Sequence, residues 1–272
     1  MALFLRKFFD IREGETLRAL LMFAYIFLII ASLMIVKPVC NALFLDRFGV
    51  ERLPYVFILA AVLAAAAARP YARLLKTVDL IDLIRRTLYA AIASLAVFWL
   101  LLHTDFFNGG SLFIFYGWIA VFALAASSQF WILANGLFNP REAKRLFGFI
   151  GAGAILGGVS GGFLSRSLAG VIGTNNMLLV AGSMLLLEAV LVSMAWPLRK
   201  ASEPDPPRSR AAPAAGRKTR GGLSTLREHR TVRMLALALL LSTVATTLID
   251  WQFKGITKAA FAGRTDEMAA FF

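Results

Sequence analysis

Seven apolar runs punctuate the chain, near 17–36, 53–72, 86–103, 111–138, 146–165, 177–198 and 233–253, with charged residues gathered between them. A helix needs roughly 20 largely apolar residues to cross the hydrocarbon core of a bilayer. Only a helix or a closed barrel pairs every backbone polar group there. Runs of this length predict an all-α integral membrane protein of about seven transmembrane helices. Composition agrees where it decides something. The chain is 59% hydrophobic and 17% charged, against roughly 45–50% and 25% in soluble domains. One water-soluble core could not hide that excess, so the lipid bilayer is the expected solvent and partner.

The formal net charge of +13 would suit a nucleic-acid surface if the basic residues were clustered on one face. They are instead distributed between the apolar runs. Arg6, Lys7, Arg12 and Arg18 fall on one side of the membrane, together with Arg69, Arg73, Lys76, Arg85 and Arg86. Arg141, Lys144, Arg145 and the ten basic residues from Arg199 to Arg233 fall on the same side. Lys37, Arg47, Arg52 and Arg166 are the basic residues of the other side over the first six spans. The basic side is cytoplasmic by the positive-inside rule, which predicts a cytoplasmic N-terminus, a bacterial inner membrane and no nucleic-acid partner. The run after Ile11 lacks a small-residue cleavage site, so it reads as a first span rather than a removable signal.

The stretch ASEPDPPRSRAAPAAGRKTRGG, Ala201 to Gly222, has no apolar periodicity and is rich in Pro, Ala and Arg. It reads as a flexible linker. The expected organisation is a cytoplasmic segment over 1–16, a six-helix transmembrane half over 17–198 and a basic linker over 199–232. The first helix of a second half and an amphipathic tail follow over 233–272. Six helices, a long basic inner loop and a further helix follow the layout of transporters of the major facilitator type. On that layout the chain is expected to be a fragment or truncated form of a longer protein, with GRTDEMAAFF leading toward an eighth span.

Chemistry-bearing residues are few. Lys37-Pro38 closes the first apolar run, but a second apolar patch, Ala42 to Leu45, follows. If the helix continues, Lys37 lies in the membrane facing a cavity or a partner; otherwise it snorkels to the interface. Glu188, in LLLEAVLV, sits at mid-span, where a carboxylate must face the bundle interior or a water path. Gln129 and Asn135 in the fourth span are weaker signals of the same kind. Asp250 and Lys254 lie at the outer end of the seventh run. These six residues are the substrate-binding candidates. Arg141, Glu142, Lys144 and Arg145 form a charged knot between the fourth and fifth spans; it can serve as a cytoplasmic gate or simply set topology. Gly148, Gly151, Gly153, Gly157, Gly158, Gly161 and Gly162 recur within the fifth span. Neither a preceding strand nor a GK[ST] ending accompanies them, which excludes a phosphate loop. Their spacing predicts close helix–helix packing.

Cys40 is the single cysteine, and His103 and His229 do not share a metal-ligand spacing. No catalytic set of nucleophile, base and orienting acid is apparent, so neither an enzyme nor a cofactor is expected. A seven-helix retinal-type photoreceptor is weakened because Lys254 and Lys258 fall beyond the seventh apolar run and the third span offers no acidic counter-ion.

The run FWILANGLFNPREAKRLFGFIGAGAILGGVSGG, Phe130 to Gly162, resembles the nucleotide transporter family of ATP/ADP antiporters. The resemblance rests on Phe130-Trp131, Ala134-Asn135 and Glu142-Ala143-Lys144-Arg145, followed by the Gly-rich helix. Weaker matches are IREGE from Ile11, KPVCNALFL from Lys37 and DWQFK from Asp250. The resemblance implies a twelve-helix exchanger whose cavity carries cations for the nucleotide phosphates. The family's first-helix motif has two basic residues and an aspartate. This chain keeps Lys37 but has Cys40 and Asn41 where the others would fall. The implied function is exchange of a nucleotide or related organic anion by alternating access, or a truncated or inactive form of such an exchanger. A non-transporting receptor or scaffold built on the same fold is the alternative.

Overall fold

The computed structural model describes residues 15–104, 109–195 and 230–272. The segment before Glu15 and the linker, with His229, lie outside the described residues. Eight helices follow in order: α1 Thr16–Phe48, α2 Leu53–Thr77, α3 Leu80–Leu102 and α4 Gly109–Leu137, then α5 Pro140–Ile172, α6 Met177–Ala195, α7 Arg230–Ala260 and α8 Thr265–Phe271. Seven of them are long and apolar enough to span a membrane. The protein is an all-α, multi-pass membrane protein.

The helices run further than the apolar runs predict, and each extension has a local cause. α5 begins at Pro140 because Asn139 caps it. The Asn139 Oδ1 accepts from the Arg141 and Glu142 N–H groups at 3.1 and 3.0 Å, and the Glu142 carboxylate accepts from the Asn139 N–H at 2.9 Å. This is a reciprocal capping box. α1 continues past Pro38 to Phe48, so Lys37 is intrahelical, about 16 Å of helical rise below the end of α1. α7 likewise carries Asp250 and Lys254 within the helix, whereas the apolar run predicts its end near residue 253. Gly49 and Gly173 stop α1 and α5 with φ of 71° and 81°, and their N–H groups bond back to Leu45 and Ala169 at 3.0 Å each. A backbone of that sign strains residues with a Cβ.

Because the spans alternate in direction, the bundle has two ends. The proximal end holds Glu15 and the turns before α3 and α5. The distal end holds the turns after α1, α3, α5 and α7. α1 is the axis of the bundle, packing chiefly on α5 and α6, and also on α4. α2 lies on α4, and α3 lies on α6. Between α1 and α5 the contact is backbone to backbone. A Cβ on Gly153 would come within 2.6 Å of the Phe23 carbonyl oxygen, and one on Gly161 within 2.7 Å of that of Ala31; one on Gly157 would fall against the Phe27 carbonyl. Gly148, Gly151 and Gly162 face open space. The seam is therefore made by glycines at every fourth residue, about one turn of helix, and not by the whole stripe.

α7 joins this bundle at its distal end, where Lys254 and Thr257 are buried. Within GRTDEMAAFF, Thr265–Phe271 form the short helix α8. Its Met268 and Ala269 are fully buried against Ala42, Phe44, Leu45, Leu53 and Ala169. Asp266 at its start accepts from the Thr174 N–H at 2.8 Å and from the Thr174 hydroxyl at 2.5 Å.

Candidate functional site

Two helix faces, far apart in sequence, meet under the distal end. On α1, Lys37 and Asn41 are four residues apart and share a face. On α7, Asp250 and Lys254 repeat that spacing. With Cys40, Tyr116, Ile119, Ala120 and Ala123, these residues line a cavity of about 350 Å³. It lies at the small end of the range for small-molecule pockets, roughly 300–1,000 Å³.

The Lys254 ammonium is almost fully buried. It donates to the Asp250 Oδ2 at 2.7 Å and to the Tyr116 hydroxyl at 3.0 Å. Tyr116 passes its own proton to the Asn41 Oδ1 at 3.1 Å. The four residues form one chain of hydrogen bonds from carboxylate to amide. The ammonium also stands 5.0 Å from the Phe57 ring centroid and 5.8 Å from that of Tyr116. Ring faces at such distances attract a cation. Phe44 packs edge-on against Tyr116, and Phe113 packs edge-on against both Phe44 and Phe48. Lys37 differs: its side chain is exposed to the cavity, and it forms no hydrogen bond or ion pair among the described residues. Two ammonium groups thus face one carboxylate, and the excess charge sits on Lys37.

α7 is held above the cavity by contacts with the turn between α1 and α2. The Trp251 indole N–H donates to the Val50 carbonyl at 3.1 Å, and Lys258 donates to the Asp46 carbonyl at 3.2 Å, with the Asp46 carboxylate at 3.7 Å.

Of the six substrate-binding candidates, the cavity gathers Lys37, Asp250 and Lys254. Gln129 is buried elsewhere, donating to the Thr87 hydroxyl at 2.8 Å between α4 and α3. Asn135 lies at the proximal end, bonded to the Trp131 carbonyl at 2.8 Å and lining a surface groove with Lys144 and Phe147. Glu188 is fully buried away from the cavity, and neither carboxylate oxygen has a hydrogen-bond partner. Tyr116 escapes a sequence reading because FYGW is ordinary apolar helix. Asn41 was within reach of one, as the residue one turn beyond Lys37.

The charged knot sits at the proximal end and joins α5 to α1. Arg145 pairs with Glu15 at 3.0 Å, and Arg18 lies 3.7 Å from the Glu142 carboxylate while donating to the Leu137 carbonyl at 3.2 Å. Both pairs tie helices of the six-helix set to each other. Lys144 points into the surface groove with Asn135.

No protein-family model, curated protein or solved structure matches the chain.

Proposed function

We propose that the protein is a membrane transporter that exchanges an organic anion of the nucleotide type, with ATP and ADP as first candidates, by alternating access. The observation that carries this reading is the cavity between α1 and α7, where Lys37 presents an ammonium with no partner among the described residues beside the Lys254–Asp250 pair. A polyanion crossing a bilayer needs fixed cations on its path, because an unpaired charge in hydrocarbon is expensive. Charge-assisted hydrogen bonds from ammonium to phosphate oxygen supply the attraction. An apolar wall of Ile119, Ala120 and Ala123 leaves room for a base beside the phosphates.

Three further features support the same reading. The Phe130–Gly162 block resembles ATP/ADP antiporters, and three of its glycines, Gly153, Gly157 and Gly161, form the α1–α5 seam. The loop charge predicts a cytoplasmic proximal end, as in the proposed bacterial inner-membrane location. Asp250 holds Lys254 at 2.7 Å, so an entering phosphate competes with the carboxylate for that ammonium.

The test is exchange in proteoliposomes. The full chain, reconstituted with internal ADP, is expected to take up labelled ATP, and Lys37→Ala to lower that rate by about tenfold or more, as loss of one charged substrate contact does. Absence of ATP or ADP flux and binding with the folded full chain would leave the non-transporting receptor or scaffold reading in its place.

A further inference from the structure

Deep in the six-helix set, three helices bring polar groups together that nothing satisfies. Glu188 of α6 is wholly buried and both its oxygens lack a hydrogen-bond partner; the Tyr25 hydroxyl of α1 and the Tyr71 hydroxyl of α2 are buried and unpartnered as well. Tyr25 lies in electrostatic reach of both Glu188 and Tyr71. Gln129 approaches Tyr71 from α4, and its amide nitrogen donates to the Thr87 hydroxyl at 2.8 Å. Tyr25 is 12 residues before Lys37 on α1, about 18 Å of helical rise. The cluster is separate from the substrate cavity and is built on the same helix.

Apolar side chains surround it. Leu185, Ala189 and Val192 flank Glu188 on α6, and the Tyr25 ring packs at a tilt against Phe130, 5.7 Å between centroids. Glu188 makes no hydrogen bond or ion pair among the described residues. An ionised carboxylate with neither counter-ion nor donor is not tolerated in such a place; the group takes a proton instead.

We infer that Glu188, with Tyr25 and Tyr71, is a proton-binding site that couples proton movement to the motion of the six-helix set. Buried as it is here, Glu188 holds the proton as the neutral acid. When α1 and α6 shift and water reaches the pocket, the O–H bond breaks, the proton leaves to water and the carboxylate remains hydrated until it is reprotonated. α1 is the mechanical link, since it carries both Tyr25 and Lys37. The coupling part rests on the transport reading; the proton site itself does not.

The experiment has two arms on the full chain. Infrared difference spectra of wild type minus Glu188→Gln at neutral pH are expected to show the carbonyl band of a protonated carboxylic acid, sensitive to deuterium exchange. In proteoliposomes an outside-acid pH gradient is expected to enhance labelled-ATP accumulation by wild type. Glu188→Gln should lose that enhancement while keeping ATP counterflow within about twofold. Tyr25→Phe, which keeps the ring, should retain the acid band at a shifted frequency. Absence of the band, or gradient-driven accumulation that survives Glu188→Gln, would overturn the proposal. If wild type moves no ATP at all, the transport reading fails, and the infrared band alone decides whether Glu188 holds a proton.

Discussion

Lys37 and Lys254 face one cavity but stand in different situations, and the difference makes separate predictions. Lys254 is enclosed by two aromatic rings, a tyrosine hydroxyl and Asp250. Lys37 has no such enclosure. Asp250 is half exposed, so removing its charge costs less than the short contact suggests. Asp250→Asn is therefore expected to leave the protein folded and to tighten ATP binding several-fold, because the phosphate no longer competes with a carboxylate. Titration calorimetry on the detergent-solubilised chain measures this, and weaker binding would contradict the competition. Lys37 was legible in the sequence as an intramembrane cation only if the helix continued past Pro38. Proline tolerates that continuation in a membrane helix, where neighbouring groups satisfy the freed carbonyl. The Tyr116 partner of Lys254 was not legible, since FYGW is an ordinary apolar stretch of α4.

At the scale of elements, the α1–α5 seam and the proximal ion pairs decide how the bundle holds together. Without a hydrophobic drive between helices in lipid, close backbone packing carries the association. Gly157→Ala would push a methyl group into the Phe27 carbonyl, which cannot rotate away, and is expected to destabilise by about 1–3 kcal/mol, the usual cost of overpacking. Gly148→Ala and Gly162→Ala meet open space and should be tolerated. Thermal unfolding in detergent separates the two outcomes; equal effects at all three positions would dissolve the seam argument. At the proximal end, Arg145→Glu should loosen α5 from α1, and adding Glu15→Arg should restore most of the loss, as reversed partners of one ion pair do. The stripe was readable from glycine spacing, but which glycines carry it was not. That depends on how α5 is rotated against α1, which sequence spacing alone leaves open.

For the whole molecule, the seven spans and the all-α class were written in the apolar runs, because the bilayer fixes helix length. The ends were less legible. Capping at Asn139 and the continuation of α7 through Asp250 and Lys254 depend on local hydrogen bonds and on a cavity that accepts charge. α8 illustrates the same limit: TDEMAAF reads as amphipathic, but its burial of Met268 and Ala269 requires the floor made by Ala42, Phe44 and Ala169. The site was half legible. Three of six binding candidates converge, while Gln129, Asn135 and Glu188 share only the property of being polar in an apolar run.

The account rests on Lys37 as a cation that has no partner among the described residues and faces an anion site. Its most direct test is equilibrium binding of labelled ATP to the purified full chain, comparing wild type with Lys37→Ala and Lys37→Arg, and competing with ADP and with uncharged adenosine. The account predicts saturable binding displaced by ADP and not by adenosine, lost by about tenfold or more in Lys37→Ala and largely kept in Lys37→Arg. Binding that is equal in all three proteins, or displaced equally well by adenosine, would contradict it.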